Sequence, residues 1–177
     1  PPMAPRLGHG LSASARAATL AAAFALLTAA PFLGKAWHID EAFFLPAAKQ
    51  IIADPLHPYD FSFNWYGDLV PYSRLNNTPP VLCYLLALAY KATGGAEWAM
   101  RLSFWPFDAA AAVALYLIAA RFLQRPLLPV LIVLACPAYL INMGHLMAEK
   151  PMFCFVLWSL YGLLRAIDGA RRWFWAS

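Results

Sequence analysis

Long apolar runs alternate with short polar segments along most of this chain. The runs cover residues 17–34, 102–120, 127–142 and 152–167. A helix of roughly 20 predominantly apolar residues spans the hydrocarbon core of a bilayer, and these runs approach that length. The pattern therefore predicts an all-α membrane protein with about four transmembrane helices.

The first run has an alternative interpretation as a cleaved signal peptide. Arg6 and Arg16 precede it, and the small residues Ala29 and Ala30 resemble a cleavage site. However, the run is longer than a usual signal-peptide core, and further apolar runs follow it. These two features favour an uncleaved transmembrane helix.

The segment 35–101 is more polar and predicts short helices that lie along the membrane surface. Residues 42–53 place their apolar side chains on one side of a helix, as interfacial helices do. Residues 79–90 are apolar but too few to cross a bilayer comfortably, and they lie between a proline start and a Gly94-Gly95 stop. Residues 54–78 are predicted to form an ordered loop with tight turns.

Treating 79–90 as a surface helix gives four spans and separates the charges between the two sides. One side then carries mainly arginines with a single acid, Asp168, whereas the other carries acids and bases in nearly equal number. The arginines of the first side are Arg6, Arg16, Arg121, Arg125, Arg165, Arg171 and Arg172. By the positive-inside rule this side is cytoplasmic, so the segment 35–101 and Glu149 are expected to face the external compartment.

Composition narrows the class of protein further. Of the 177 residues, 62% are hydrophobic and only 12% are charged, which a small soluble core cannot accommodate. The three cysteines lie in apolar runs, where buried neutral thiols are expected. The net charge of +4 is dispersed rather than clustered. Membrane lipids are therefore expected partners, and nucleic acid is not.

The pair Asp40-Glu41 follows the first predicted span and is the leading candidate for chemistry. Two adjacent carboxylates at a membrane surface are costly to keep without a role. One interpretation is that they cap the start of the 42–53 helix, where the helix dipole favours acids. The other is catalytic or metal binding, in which Asp40 acts as a general base toward an acceptor hydroxyl or amine.

Three further polar features stand out. Residues 76–80 form a turn and a helix start, and residues 147–151 form a short polar loop between two spans. Asp108 is an acid inside a predicted span, where such residues are functional candidates by default. A structural partner inside the helix bundle is expected for Asp108, with Arg101 or Arg121 as the nearest bases in sequence.

The order of these features resembles the N-terminal part of the polytopic glycosyltransferases of the C-type fold. A span is followed by Asp40-Glu41, a long external loop, the Pro79-Pro80 helix start and a second acidic loop at 147–151. The arrangement is similar to the dolichyl-phosphate-mannose–protein mannosyltransferase-like superfamily, with its lipid A aminoarabinose and rhizobial core-sugar transferase branches. The resemblance covers roughly residues 15–172.

The resemblance implies an enzyme that takes a sugar from a polyprenyl-phosphate carrier, in the bacterial inner membrane. The residues implied as catalytic are Asp40, Glu41 and Glu149. Those implied for substrate or phosphate binding are Lys150, Arg74, Asn77 and Thr78. In the aminoarabinose branch an acid and a lysine precede the two prolines, and Asn77 and Thr78 replace them here. Cationic side chains or a divalent metal ion would offset the charge of the leaving phosphate, and no metal ligand is assigned.

Family members are much longer, so the chain 1–177 is expected to be an N-terminal fragment. Its organisation is then one span, an external loop at 35–101 and three further spans. The alternatives are a non-catalytic membrane scaffold, a degenerate relative or a small transporter. A transporter would place charged or broken helices at the bilayer midplane, for which Asp108 and Pro137 are the available features.

Overall fold

A computed structural model of the chain describes residues 11–169. The helices are α1 (Leu11–Ala29), α2 (Ile39–Ala53), α3 (Tyr72–Leu75), α4 (Val81–Thr93), α5 (Glu97–Ser103), α6 (Trp105–Phe122), α7 (Leu127–Ala135), α8 (Pro137–Met143) and α9 (Glu149–Ile167). A turn of 3₁₀ helix, Ala30–Phe32, extends α1, and the strands β1 (Ser62–Trp65) and β2 (Asp68–Pro71) form one hairpin.

Three stretches of the described chain are long and apolar enough to cross a membrane. They are Ala13–Phe32, Glu97–Phe122 and Glu149–Ile167, and they overlap three of the four predicted spans. The predicted all-α membrane architecture is thereby confirmed. Arg6, Arg171 and Arg172, which entered the argument about sidedness, lie outside the described residues.

The fourth predicted span, 127–142, is two short helices rather than one continuous helix. Helix α7 ends at Cys136, whose backbone is extended (φ −69°, ψ 145°), and α8 restarts at Pro137. Proline has no amide hydrogen and its ring clashes with the preceding turn, so it interrupts a helix. The Cys136 Sγ atom accepts a hydrogen bond from the Tyr139 amide, 3.4 Å away, which caps the new helix.

The chain divides into two compact units. The first unit holds α1 with the 3₁₀ turn and α6 to α9. Here α1 packs against α6 and α7, and α6 packs against α9. The contact is built on small residues, since Ala21, Ala25 and Ala112 are at most 1% exposed. Small side chains let helix backbones approach closely, which is how helices associate in a bilayer.

Asp108 in the first turn of α6 has a partner on another helix. Its carboxylate oxygen Oδ2 accepts a hydrogen bond from Lys150 Nζ, 2.9 Å away, in the first turn of α9. Both side chains are buried, at 1% and 3% exposure. A structural partner inside the bundle was expected and is found, but Arg101 and Arg121 were the wrong candidates. Arg121 instead bonds Asp168 and the Leu164 carbonyl.

The second unit holds α2 to α5, the hairpin and residues 145–148. Helix α4 packs against α2 and α5, and it ends where predicted, at Gly94 with φ +66°. The hairpin pairs β1 with β2 in antiparallel register, Ser62 opposite Pro71 and Trp65 opposite Asp68. The segment 54–78 was predicted as a loop, and the hairpin within it was not foreseen.

The hairpin turn places Tyr66 in a backbone conformation that is unfavourable for tyrosine. Tyr66 has φ +53° and Gly67 has φ +102°, as a two-residue hairpin turn requires, and Tyr66 is 93% exposed. Left-handed backbone costs a non-glycine residue about 1–2 kcal/mol, and asparagine tolerates it better than other residues.

We therefore expect Tyr66→Asn to stabilise the protein by about 1 kcal/mol. The measurement is thermal unfolding of the detergent-solubilised protein, followed by tryptophan fluorescence. Tyr66→Ala is the matched control because it removes the same ring, which contacts Trp65, but keeps the unfavourable backbone. Equal melting temperatures for the two variants would show that turn strain does not limit stability.

Candidate functional site

The acidic pair lies in the first turn of α2, where a reciprocal capping arrangement fixes the helix start. His38 is the N-cap residue, and its Nδ1 atom accepts a hydrogen bond from the Asp40 amide, 3.4 Å away. In return, the Glu41 carboxylate accepts a hydrogen bond from the His38 amide at 2.7 Å. This is the capping box of helix N-termini, with histidine in the position usually held by serine or threonine.

Glu41 is also the centre of a buried ion pair. Its two carboxylate oxygens accept hydrogen bonds from Arg101 Nη1 and Nη2, at 2.8 and 2.9 Å. The Leu146 amide donates a further hydrogen bond at 2.6 Å. The side chains of Glu41 and Arg101 are 1% and 4% exposed. A two-pronged arginine–carboxylate pair of this kind fixes geometry as well as charge.

Arg101 holds the segment that leads into α2. Its guanidinium donates hydrogen bonds to the Lys35 and Ala36 carbonyls, at 3.3 and 3.2 Å. The same group lies over the Trp37 ring, 5.4 Å from the ring centroid. The backbone immediately before the acidic pair is therefore tied to α5 by one side chain.

The two adjacent acids have different environments and thus different chemistry. Burial alone would raise the pKa of Glu41, but the hydrogen bonds from Arg101 and from the His38 and Leu146 amides outweigh it and hold that pKa below its usual value. Asp40 is 59% exposed, and the contact shown for its carboxylate is His38 Nδ1, 3.4 Å away. Glu41 is a buried anion held by hydrogen bonds, whereas the Asp40 carboxylate is exposed to solvent.

Three basic side chains lie beside this pair, and we call Lys35, His38 and His145 the basic cluster. Lys35 Nζ lies 3.0 Å from His145 Nε2 and 3.4 Å from its Nδ1. The rings of His38 and His145 meet edge to face, with centroids 4.8 Å apart. Burial and the neighbouring Lys35 charge lower the pKa of His145.

The other candidate site residues from the sequence are divided between the two units. Glu149 is exposed at the start of α9, and Lys150 beside it is buried against Asp108. In the second unit Arg74, Asn77 and Thr78 are exposed, although the Thr78 amide and hydroxyl both donate to the Asn76 side chain, at 3.0 and 2.6 Å. Within the described part of the chain, no group of three acidic, histidine or cysteine side chains is arranged to hold a metal ion.

Sequence reasoning did not identify the basic cluster. The four histidines show no ligand spacing, so none had been singled out. A positional signal was nevertheless present, since His38 precedes Asp40 by two residues and His145 precedes Glu149 by four. Both histidines therefore belong to segments that the predicted four-span topology would put on the same side of the membrane.

Comparison with known proteins identifies a family for most of the chain. The family model for dolichyl-phosphate-mannose-protein mannosyltransferase matches residues 77–177, which is more than half of the sequence. No curated protein and no solved structure gives a significant match. With its long apolar helices, the chain is an integral membrane protein of glycosyltransferase type. It belongs to the dolichyl-phosphate-mannose-protein mannosyltransferase family.

Proposed function

We propose that the protein transfers a sugar from a polyprenyl-phosphate carrier to a lipid, glycan or protein acceptor, with Asp40 as the general base. The observation that carries this proposal is the division of roles within the acidic pair. Glu41 is buried and bonded to Arg101, whereas Asp40, the next residue, is 59% exposed. Such a pair presents one reactive carboxylate on a rigid support, as a catalytic base requires.

In the proposed reaction the acceptor oxygen or nitrogen attacks the anomeric carbon of the donor sugar. A bond forms between the acceptor atom and that carbon, and the bond between the carbon and the phosphate oxygen breaks. The electron pair of the broken bond stays on polyprenyl phosphate, and the acceptor proton passes to Asp40. Base catalysis of this kind contributes about 10²–10⁴-fold to the rate.

The remaining candidates have supporting roles in this proposal. Glu41 is a positioning residue, because its hydrogen bonds to the His38 amide and Arg101 fix the turn that carries Asp40. Glu149, Arg74, Asn77 and Thr78 are exposed and available to contact the donor or acceptor. Lys150 acts through Asp108 to hold the first turn of α9, which begins with Glu149.

Two further arguments support the proposal. Members of the matched family are named for transfer of mannose from a dolichyl-phosphate carrier. In addition, the distribution of arginines favours an external location for the segment 35–101, where the carrier's sugar would be used. We place the reaction at the outer face of a bacterial inner membrane.

The test is a comparison of two donors in proteoliposomes containing the protein. One donor is a polyprenyl-phosphate sugar and the other is the corresponding nucleotide sugar, each labelled in the sugar. Membranes from cells that lack the protein supply the acceptors. We expect label to reach an acceptor fraction from the polyprenyl donor, with release of polyprenyl phosphate. Transfer from the nucleotide sugar alone, or from neither donor, would refute the proposal.

A further inference from the structure

Lys35 is a half-buried cation that has no carboxylate partner among the described residues. Its Nζ atom is instead within hydrogen-bond distance of the His145 ring. Lys150, by comparison, is buried against the Asp108 carboxylate at 2.9 Å. Removing a lysine charge from water without an opposite charge is unfavourable. The position of Lys35 therefore indicates an anion that completes the site.

The contact between Lys35 and His145 also fixes the state of the imidazole. An ammonium group only donates hydrogen bonds, so the facing ring nitrogen must be an acceptor and His145 must be neutral. Protonation of His145 would place a second positive charge 3.0 Å from the first. An anion bound between them would reverse that penalty, because it attracts both charges.

The Glu41 carboxylate, which lies beside His145, does not supply the missing charge. Glu41 Oε1 lies 3.9 Å from His145 Nδ1, but that oxygen already accepts hydrogen bonds from Arg101 and from the Leu146 amide. The charges of Arg101 and Glu41 neutralise each other, so Glu41 does not compensate the charge of Lys35. The Asp40 carboxylate contacts His38 instead, with Oδ2 3.4 Å from His38 Nδ1.

We propose that the basic cluster of Lys35, His38 and His145 binds a phosphate group, and that His145 takes up a proton as the phosphate binds. Lys35 supplies the permanent charge and the two imidazoles supply further hydrogen-bond donors. The proposal rests on the proposed function in that the phosphate belongs to the polyprenyl carrier. Beside Asp40, the cluster would hold the leaving group while Asp40 accepts the proton of the acceptor.

This arrangement favours the product of the reaction over the donor. The donor is a phosphodiester with one negative charge, whereas polyprenyl phosphate is a monoester that approaches two charges near neutral pH. A site with one fixed cation and one proton-accepting imidazole interacts more strongly with the doubly charged group. Interactions that strengthen as charge develops on the leaving oxygen accelerate the reaction.

The test measures phosphate binding by calorimetry on the detergent-solubilised protein. Farnesyl phosphate, inorganic phosphate and phosphatidylglycerol are the three probes, and buffers of different ionisation enthalpy report proton uptake. We expect farnesyl phosphate to bind with uptake of a proton. Lys35→Met should weaken binding by about 10–100-fold, the size of one charge-assisted hydrogen bond, and Lys35→Arg should restore most of it.

Lys91→Met is the matched control, since Lys91 is exposed on α4. His145→Gln should abolish proton uptake while leaving a weaker phosphate site. If inorganic phosphate binds as tightly as farnesyl phosphate, the phosphate group accounts for all of the affinity. Tighter binding of farnesyl phosphate would add a contribution from the lipid chain.

Three results would overturn this inference. They are equal affinities for the Lys35→Met and Lys91→Met proteins, binding without proton uptake, and equal binding of phosphatidylglycerol, which is a diester. Failure here is distinguishable from failure of the proposed function. Sugar transfer by the unmodified protein with no effect of Lys35→Met on binding refutes the cluster alone. Phosphate binding without sugar transfer from the polyprenyl donor refutes the transferase proposal alone.

Discussion

Replacing Asp40 with asparagine should lower the rate of sugar transfer by about 10²–10⁴-fold, the range that a general base contributes. Asparagine keeps the size of the side chain but removes the basic oxygen. The fold should tolerate the change, because the N-cap of α2 is His38 rather than Asp40. Loss of one negative charge from the first turn costs about 0.3–1 kcal/mol. Transfer is measured in proteoliposomes at matched protein levels.

Asp68→Asn is the matched control for this variant. Asp68 is also exposed in the second unit, at the start of β2, and it has no part in the proposed reaction. We expect its transfer rate to equal that of the unmodified protein. If Asp40→Asn is as active as Asp68→Asn, Asp40 is not the base, and Glu149 becomes the next residue to test.

Replacing Arg101 with methionine should destabilise the folded protein by about 3–5 kcal/mol, because it leaves a buried carboxylate without its cation. Glu41 is 1% exposed, so water cannot replace the guanidinium without opening the unit. The Lys35 and Ala36 carbonyls lose a donor as well. Unfolding in detergent, followed by tryptophan fluorescence, provides the measurement. Arg125→Met, at an exposed position, is the control and should have little effect.

A double-mutant cycle separates the charge from the packing. Glu41→Gln together with Arg101→Met removes both charges, and the glutamine oxygen can accept from one of the two amides, His38 or Leu146, which bond different oxygens of Glu41. The double variant should therefore be more stable than Arg101→Met alone. If the two single effects simply add, the pair does not act as a unit, and Glu41 is not held in place by Arg101.

The pattern of apolar residues was sufficient to predict the helices that show a long apolar run or a clear residue signal at their end. The predicted span 152–167 lies within α9, the predicted span 17–34 overlaps α1 and its 3₁₀ turn, and Gly94 ends α4. The strands of the hairpin have four residues each, too few for alternation to stand out, and the turn residues Tyr66-Gly67 are not a typical hairpin pair. Local pattern alone does not reveal elements this short.

The candidate site was predicted only in the part that is contiguous in sequence. Asp40 and Glu41 are adjacent, so their shared location needed no knowledge of the fold. Arg101 and His145 join them from positions at least 60 residues away. The same holds for Asp108, whose neighbours in sequence suggested Arg101 or Arg121, whereas Lys150 lies 42 residues further along. Which charges pair is decided by tertiary contacts.

The hydrogen bond from the Leu146 amide to Glu41 can form only late in the synthesis of the chain. Leu146 follows Glu41 by 105 residues, so at about 5–20 residues per second the ribosome needs roughly 5–20 s to supply it. Arg101 emerges earlier, 60 residues after Glu41. The cation that pairs with Glu41 is thus synthesised before the last of its amide donors. The hydrogen bonds of Glu41 can therefore be complete only after residues 145–148 have been synthesised.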